Sequence, residues 1–277
     1  MGAFKEMALR YPPLDRRIEM VAADMDGTLL NEHFQLDAET VAAARSLQQN
    51  GIRLALASGR AKESLLPFHR QLNLQTPLIA YNGALVWDPI SGETLSHTPV
   101  PLAEAEEVVR FAEAEGLHWH RFHNERFYAP TRNDWLRLYE RRTGLVGETE
   151  SPPPDEPPTK IILICEPPRP LRLVRELRQQ FGGRLYIANT MPEYVEFMHP
   201  RAQKGRALRT LARRLNIRTE NILAFGDAQN DETMFDAAGM SIAMGDAPDE
   251  LKAKADLTAP TNREQGVARA LQALGLA

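Results

Sequence analysis

The chain has 277 residues, 43% of them hydrophobic and 25% charged, with a formal net charge of -4. That length buries a large core in one or two domains, and so small a charge excludes a protein that holds nucleic acid by bulk electrostatics. A single cysteine, Cys165, excludes an intrachain disulfide; with no signal-peptide segment and no apolar run long enough to span a bilayer, the expected setting is reducing and cytoplasmic, without a membrane partner.

Residues 1–17 contain Pro12-Pro13 and read as an N-terminal tail. The apolar run Met20-Val21-Ala22-Ala23 then predicts a short buried strand of a parallel sheet. A helix over 38–49 is stopped by Asn50-Gly51. A second strand over 52–57 turns at Ser58-Gly59-Arg60 into a helix over 61–72. A third strand over 78–81 is closed by Asn82-Gly83. These are the βαβ units of a doubly wound, Rossmann-like sheet.

The pattern then changes. Residues 86–88 and 94–97 predict a hairpin, followed by a helix over 102–115. Strand-like runs at 117–123 and 126–128 flank Asn124-Glu125, a second hairpin signal. The proline-rich stretch 151–158 is an extended connector. A strand over 160–165, a helix over 171–181 and strands over 184–188 and 194–198 complete the region. Hairpins mixed with helices fit an α+β module, placed at 85–199 as an insertion into a core of 18–84 and 200–277. Beyond His199-Pro200 the alternation returns: helix 202–215, strand 222–225, short helix 231–237, strand 240–244 turning at Gly245-Asp246, and a last helix over 263–274. Cys165 ends an apolar run and reads as core. Arg137, Arg141 and Arg142, like Arg209, Arg213 and Arg214, sit at helical spacing and read as solvated faces.

Four stretches carry chemistry. The first is Asp24-Met25-Asp26-Gly27-Thr28, directly after the first strand. Parallel sheets bind ligands at the carboxyl ends of their strands. If the strand persists, Asp24 and Asp26 point to one side. Two carboxylates that close repel unless a cation lies between them, and hard oxygen ligands suit Mg²⁺. Gly27 permits a sharp turn, and Thr28 offers a hydroxyl and an N–H to an anion. Alone, the stretch is equally an Asp-Gly turn. The second is Ser58, either a helix cap or, with the Gly59 N–H, a donor to a phosphate oxygen. The third is Lys204, whose charge opposes the dipole at a helix start. That misfit suggests neutralisation of a phosphate, although a solvated lysine fits as well. The fourth is Gly226-Asp227-Ala228-Gln229-Asn230-Asp231, which either completes an oxygen cage for a metal or is a loop capped by Asp231.

Taken in this order, these residues resemble the four motifs of the haloacid dehalogenase superfamily. The insertion, with Asn82-Gly83-Ala84 before it, resembles the α/β cap of the Cof-type branch, subfamily IIB. The resemblance implies Asp24 as the nucleophile on phosphorus and Asp26 as the acid that protonates the leaving alcohol and then activates water. It implies Mg²⁺ held by the Asp24 carboxylate, the Asp26 backbone carbonyl and Asp227, with Asp231 in support. Ser58 and Lys204 would bind the phosphoryl oxygens, with Asn230 adding a contact. The implied function is a phosphatase acting on a small phosphorylated metabolite, a sugar phosphate. Nothing in the sequence marks an interface, and a monomer or weak homodimer is expected. Asp246, where relatives often carry Asn, departs from the pattern.

Three other readings compete. A sugar phosphomutase would use the same Asp24 chemistry. A phosphoacceptor signalling module would need its acceptor on a later strand and leaves the insertion unexplained. An idle binding module is opposed by the intact acids. Within the insertion, alternation puts His118 and His120 on one face of a strand and Trp119, Arg121 and His123 on the other. No cysteine or clustered acid completes a metal site there. Trp87, Trp119 and Trp135 read as cap core.

Overall fold

The computed structural model describes residues 11–123, 126–153 and 155–277. In chain order the elements begin with β1 (Met20–Ala23), α1 (Ala38–Gln49), β2 (Arg53–Leu56), α2 (Lys62–Gln71), β3 (Leu78–Ala80), β4 (Leu85–Trp87) and β5 (Thr94–His97). There follow α3 (Leu102–Ala114), β6 (His118–His123), β7 (Arg126–Tyr128), α4 (Asp134–Thr143), β8 (Lys160–Ile164), α5 (Arg169–Phe181), β9 (Tyr186–Ala188) and β10 (Tyr194–Met198). Last come α6 (Lys204–Arg214), β11 (Ile222–Gly226), α7 (Glu232–Phe235), β12 (Met240–Ala243), α8 (Asp249–Lys252), β13 (Leu257–Thr258) and α9 (Gly266–Ala273). Two compact units form. One holds the described residues up to Ser58 with Pro67–Leu78 and Lys204–Ala277; the other holds Gly59–Leu66 and Ile79–Gln203. No helix among the described residues is long and apolar enough to cross a membrane.

The first unit is a five-stranded sheet in the order β13-β12-β11-β1-β2. Every pairing in it is parallel. All four residues of β1 and all five of β11 are buried, as expected of central strands covered on both faces. α1 buries Thr40, Ala43, Ala44 and Leu47, the i, i+3, i+4, i+7 stripe of an amphipathic helix. The register sets Ala23 against Phe225 on one side of β1 and against Leu56 on the other. Three chain segments therefore leave the sheet side by side at its carboxyl edge: 24–28, 57–58 and 227–231.

The expected third strand of this sheet is not there. β3 pairs with β4 in a separate three-stranded sheet, β3-β4-β5. The Thr76 hydroxyl donates to the Leu54 carbonyl and so occupies an acceptor on β2. β3 itself has three residues and runs through the tight turn Tyr81–Gly83 into β4. The predicted hairpin of β4 and β5 is present and antiparallel.

The second unit is an antiparallel sheet in the order β7-β6-β8-β10-β9. The hairpin tip Asn124-Glu125 lies outside the described residues. α3 and α5 contribute Val108, Val109, Leu173, Val174 and Leu177 to the core formed with Ile161, Leu163, Val195 and Phe197. The predicted alternation along β6 holds. Trp119 joins that core, while His120 and Phe122 pack with Phe127 and Tyr139 in an aromatic cluster. Of the three tryptophans read as core, only Trp119 is buried; Trp87 and Trp135 are half-buried. The helix α4 was not predicted. It starts where the Asn133 side chain accepts from the Leu136 N–H and stops at Gly144 in the left-handed region, and Arg137, Arg141 and Arg142 lie exposed on it, as their helical spacing suggested.

Three buried histidines make this unit acid-sensitive. His118, His120 and His123 are 6%, 0% and 3% exposed. Burial disfavours their charged forms and pushes His118 and His123 down to about 4. Because the folded value lies below the unfolded one, their contribution is present above pH 6.5 and is lost as pH falls through that value. By pH 5 the loss is about 1–2 kcal/mol for each of these two residues. Trp87, Trp119 and Trp135 all lie in this unit, so tryptophan emission reports on it alone. The urea midpoint read by emission is expected to fall between pH 7.5 and pH 5. An unchanged midpoint would show that these imidazoles are not held neutral.

Candidate active site

β1 stops at Ala23, so Asp24 and Asp26 do not alternate along a strand as expected. Asp24 is 6% exposed and Asp26 half-buried. The partners of Asp24 come instead from distant sequence. Its N–H donates to the Phe225 carbonyl at 3.1 Å, which seats it beside the end of β11. Oxygens of Asp24, Asp227 and Asp231 lie within 4.8 Å of one another, a group fit to hold a metal ion. The Asp26 carboxylate lies outside that group.

Lys204, the first residue of α6, is fully buried. Its ammonium donates to Asp24 Oδ1 at 2.5 Å and to Asp231 Oδ1 at 2.6 Å. The mismatch with the helix dipole is thus explained: two carboxylates outweigh the dipole within hydrogen-bond distance. Burial disfavours the Lys204 charge, but Asp231 and Asp24 together hold its pKa above the ordinary lysine value. Burial raises the Asp24 pKa well above the carboxylate range; the charges of Asp231 and Asp227 add to this and Lys204 opposes it. Burial, reinforced by Asp231, lifts Asp227 to about 6.

Asp231 is completely buried. Its second oxygen accepts from the Asp227 N–H at 3.0 Å and the Ala228 N–H at 3.1 Å. It therefore shapes the loop that presents Asp227, a task that the spacing G-D-x-x-N-D did not reveal. Thr28 was read as a donor to an anion; its hydroxyl donates to Asp227 Oδ1 at 2.9 Å and ties the two loops together. Gly27 has φ +81°, and a Cβ there would fall 2.3 Å from Asp227 Oδ2. Only glycine admits both the turn and the approach of Asp227. Ser58 is buried at the end of β2, where Ala57 N–H donates to the Ala23 carbonyl at 3.0 Å. Gly59 opens the second unit. Asn230 is half-buried beside the cluster in sequence, and Asp246 is exposed.

With all three ionised, three carboxylates against one ammonium would leave two negative charges in excess in a buried site. Such an excess is costly without compensation, which a divalent cation would supply. The all-oxygen donor set suits a hard ion such as Mg²⁺.

Residues 21–271 match the family model of haloacid dehalogenase-like hydrolases. Phosphatase YwpJ of Bacillus subtilis is 27% identical over 285 residues, which cover 93% of this chain and all of that protein. Pyridoxal phosphate phosphatase YbhA of Escherichia coli is 27% identical over 271 residues, covering 90% of this chain and 96% of that protein. The crystal structure of TM0651 from Thermotoga maritima superposes with a TM-score of 0.81 at 29% identity, covering 92% of this chain and 97% of the other.

Proposed function

This chain belongs to the haloacid dehalogenase-like hydrolases, and from that premise we propose that it is a Mg²⁺-dependent phosphatase that hydrolyses a small phosphorylated metabolite, a sugar phosphate, through an aspartyl phosphate. The observation that carries this reading is the buried cluster of Asp24, Asp227 and Asp231 around Lys204 at the adjoining ends of β1 and β11. The names of relatives, which include a pyridoxal phosphate phosphatase, support a small phosphate ester as substrate.

Asp24 attacks phosphorus, and the bond from phosphorus to the ester oxygen breaks. Asp26 gives its proton to the departing alkoxide and then accepts one from the water that attacks the aspartyl phosphate. Inorganic phosphate and the Asp24 carboxylate are released. Lys204 opposes the rise that burial imposes on the Asp24 pKa, and with Ser58, the Gly59 N–H and Asn230 it binds phosphoryl oxygens. Thr28 acts through Asp227. Asp24, the Asp26 carbonyl and Asp227 would hold Mg²⁺, with Asp231 orienting Asp227. The ion would neutralise charge that develops on the phosphoryl group.

Hydrolysis of an aryl phosphate should therefore vanish in EDTA and return with Mg²⁺. A proton on Asp227 competes with the ion, so the Mg²⁺ concentration for half activity is expected to rise as pH falls below 6. Phosphate release from sugar phosphates without an acceptor sugar checks the reaction class. Full activity in EDTA would remove the metal from the proposal.

A further inference from the structure

Lys204 opens α6, and the residue after it, Gly205, meets α7 at close range. A Cβ on Gly205 would fall 1.7 Å from the Thr233 carbonyl oxygen and 3.2 Å from the Met234 nitrogen, so only glycine admits this approach of two backbones. There the Gly205 N–H donates to the Thr233 hydroxyl at 3.1 Å. Gly205 is buried and Thr233 half-buried. The start of α6 is thus bound twice to one short stretch. The Lys204 ammonium holds Asp231 Oδ1 at 2.6 Å, and the next residue holds Thr233, which follows Asp231 and Glu232. From the same place the ammonium reaches Asp24 Oδ1 at 2.5 Å. All of these residues belong to the first unit.

N–H groups in the first turn of a helix have no partner within it and take an acceptor from outside. Water or any side-chain oxygen meets that need. What Thr233 adds is position: its hydroxyl is carried by α7, beside the acid that Lys204 must reach. A lysine has a long flexible stem and loses much rotamer freedom when its ammonium is held. That ammonium spans two carboxylates only if the backbone beneath it stays in place. We infer that Thr233 is a positioning residue: by accepting the Gly205 N–H it fixes the start of α6, so that Lys204 bridges Asp24 and Asp231 and meets a phosphoryl group in register. This rests on the phosphatase reading and on Lys204 as a phosphoryl ligand.

The test compares Thr233→Val, which keeps the side-chain shape without the hydroxyl, with Thr233→Ser, which keeps the hydroxyl. One readout is kcat for aryl phosphate hydrolysis at saturating Mg²⁺. The other is the inhibition constant of orthovanadate, which carries no leaving group and so reports on the phosphoryl site. Thr233→Val is expected to lower kcat and raise the vanadate constant, each roughly tenfold, because small misplacements at a reacting centre cost much in rate. Thr233→Ser should keep both within about twofold of wild type. Leu47→Ala, in the buried stripe of α1, controls for stability: it should lower the urea midpoint at least as much as Thr233→Val and leave both constants within about twofold. Thr233→Ala serves if Thr233→Val does not fold. A Thr233→Val variant that loses stability with both constants unchanged would make the contact merely structural and overturn the inference. So would Thr233→Ser as impaired as Thr233→Val, or Leu47→Ala moving both constants as far. Each of these leaves the phosphatase reading intact, whereas a wild-type enzyme that hydrolyses no phosphate ester would overturn both.

Discussion

Asp24→Asn is expected to fold normally and to lose aryl phosphate hydrolysis by roughly 10⁴-fold or more. The amide is the size of the carboxyl group but cannot form the acyl phosphate. Folding should survive because the site already disfavours a charge here: burial and two neighbouring acids raise the Asp24 pKa, and a neutral isostere relieves that cost. Lys204 keeps Asp231 as a partner at 2.6 Å. The comparison that matters is kcat against the unfolding midpoint of the same preparation. Residual activity above about 1% of wild type, with no contaminating phosphatase, would take the nucleophile role from Asp24.

Lys204→Met is expected to have the largest effect on stability, about 3–5 kcal/mol in the absence of metal. The ammonium is fully buried and is shared by Asp24 and Asp231. Removing it leaves carboxylates without their counter-charge, and a methionine fills the volume but not the hydrogen bonds. Urea unfolding followed by far-ultraviolet circular dichroism measures this, since the tryptophans lie in the other unit. Adding Asp231→Asn to Lys204→Met should recover part of the loss, because it removes one of the uncompensated charges; the two changes are therefore expected to be less than additive. A Lys204→Met variant as stable as wild type would show that the acids are compensated by other means.

The residues of the cluster were legible because each carries its chemistry in its type and sits at a strand end that local pattern marks. Met20–Ala23 before Asp24 and Ile222–Gly226 before Asp227 are apolar runs too short for helices and bounded by turns. The insertion was legible from the break in βα rhythm and the hairpin signals that replace it. Along β6, simple alternation separated His120 from Trp119 correctly.

Other features had no local signature. β3 pairs with β4 rather than with β2, and the Thr76 hydroxyl just before it meets the Leu54 carbonyl across 22 residues of sequence. That Asp231 supports the Asp227 loop through two N–H donors, rather than simply capping a helix, depends on the path of the loop. The pairing of Lys204 with acids 180 and 27 residues away depends on α6 starting beside the end of β1.

Residue types and hydrophobic period, which are properties of neighbours along the chain, determined by themselves that this protein has βα alternation, an inserted module and four polar turns. Which of those turns meet, which carboxylates share one ammonium and which strand is left out were decided only by strand order and register, because hydrogen bonds and charges act across a few ångströms of space whatever the separation in sequence.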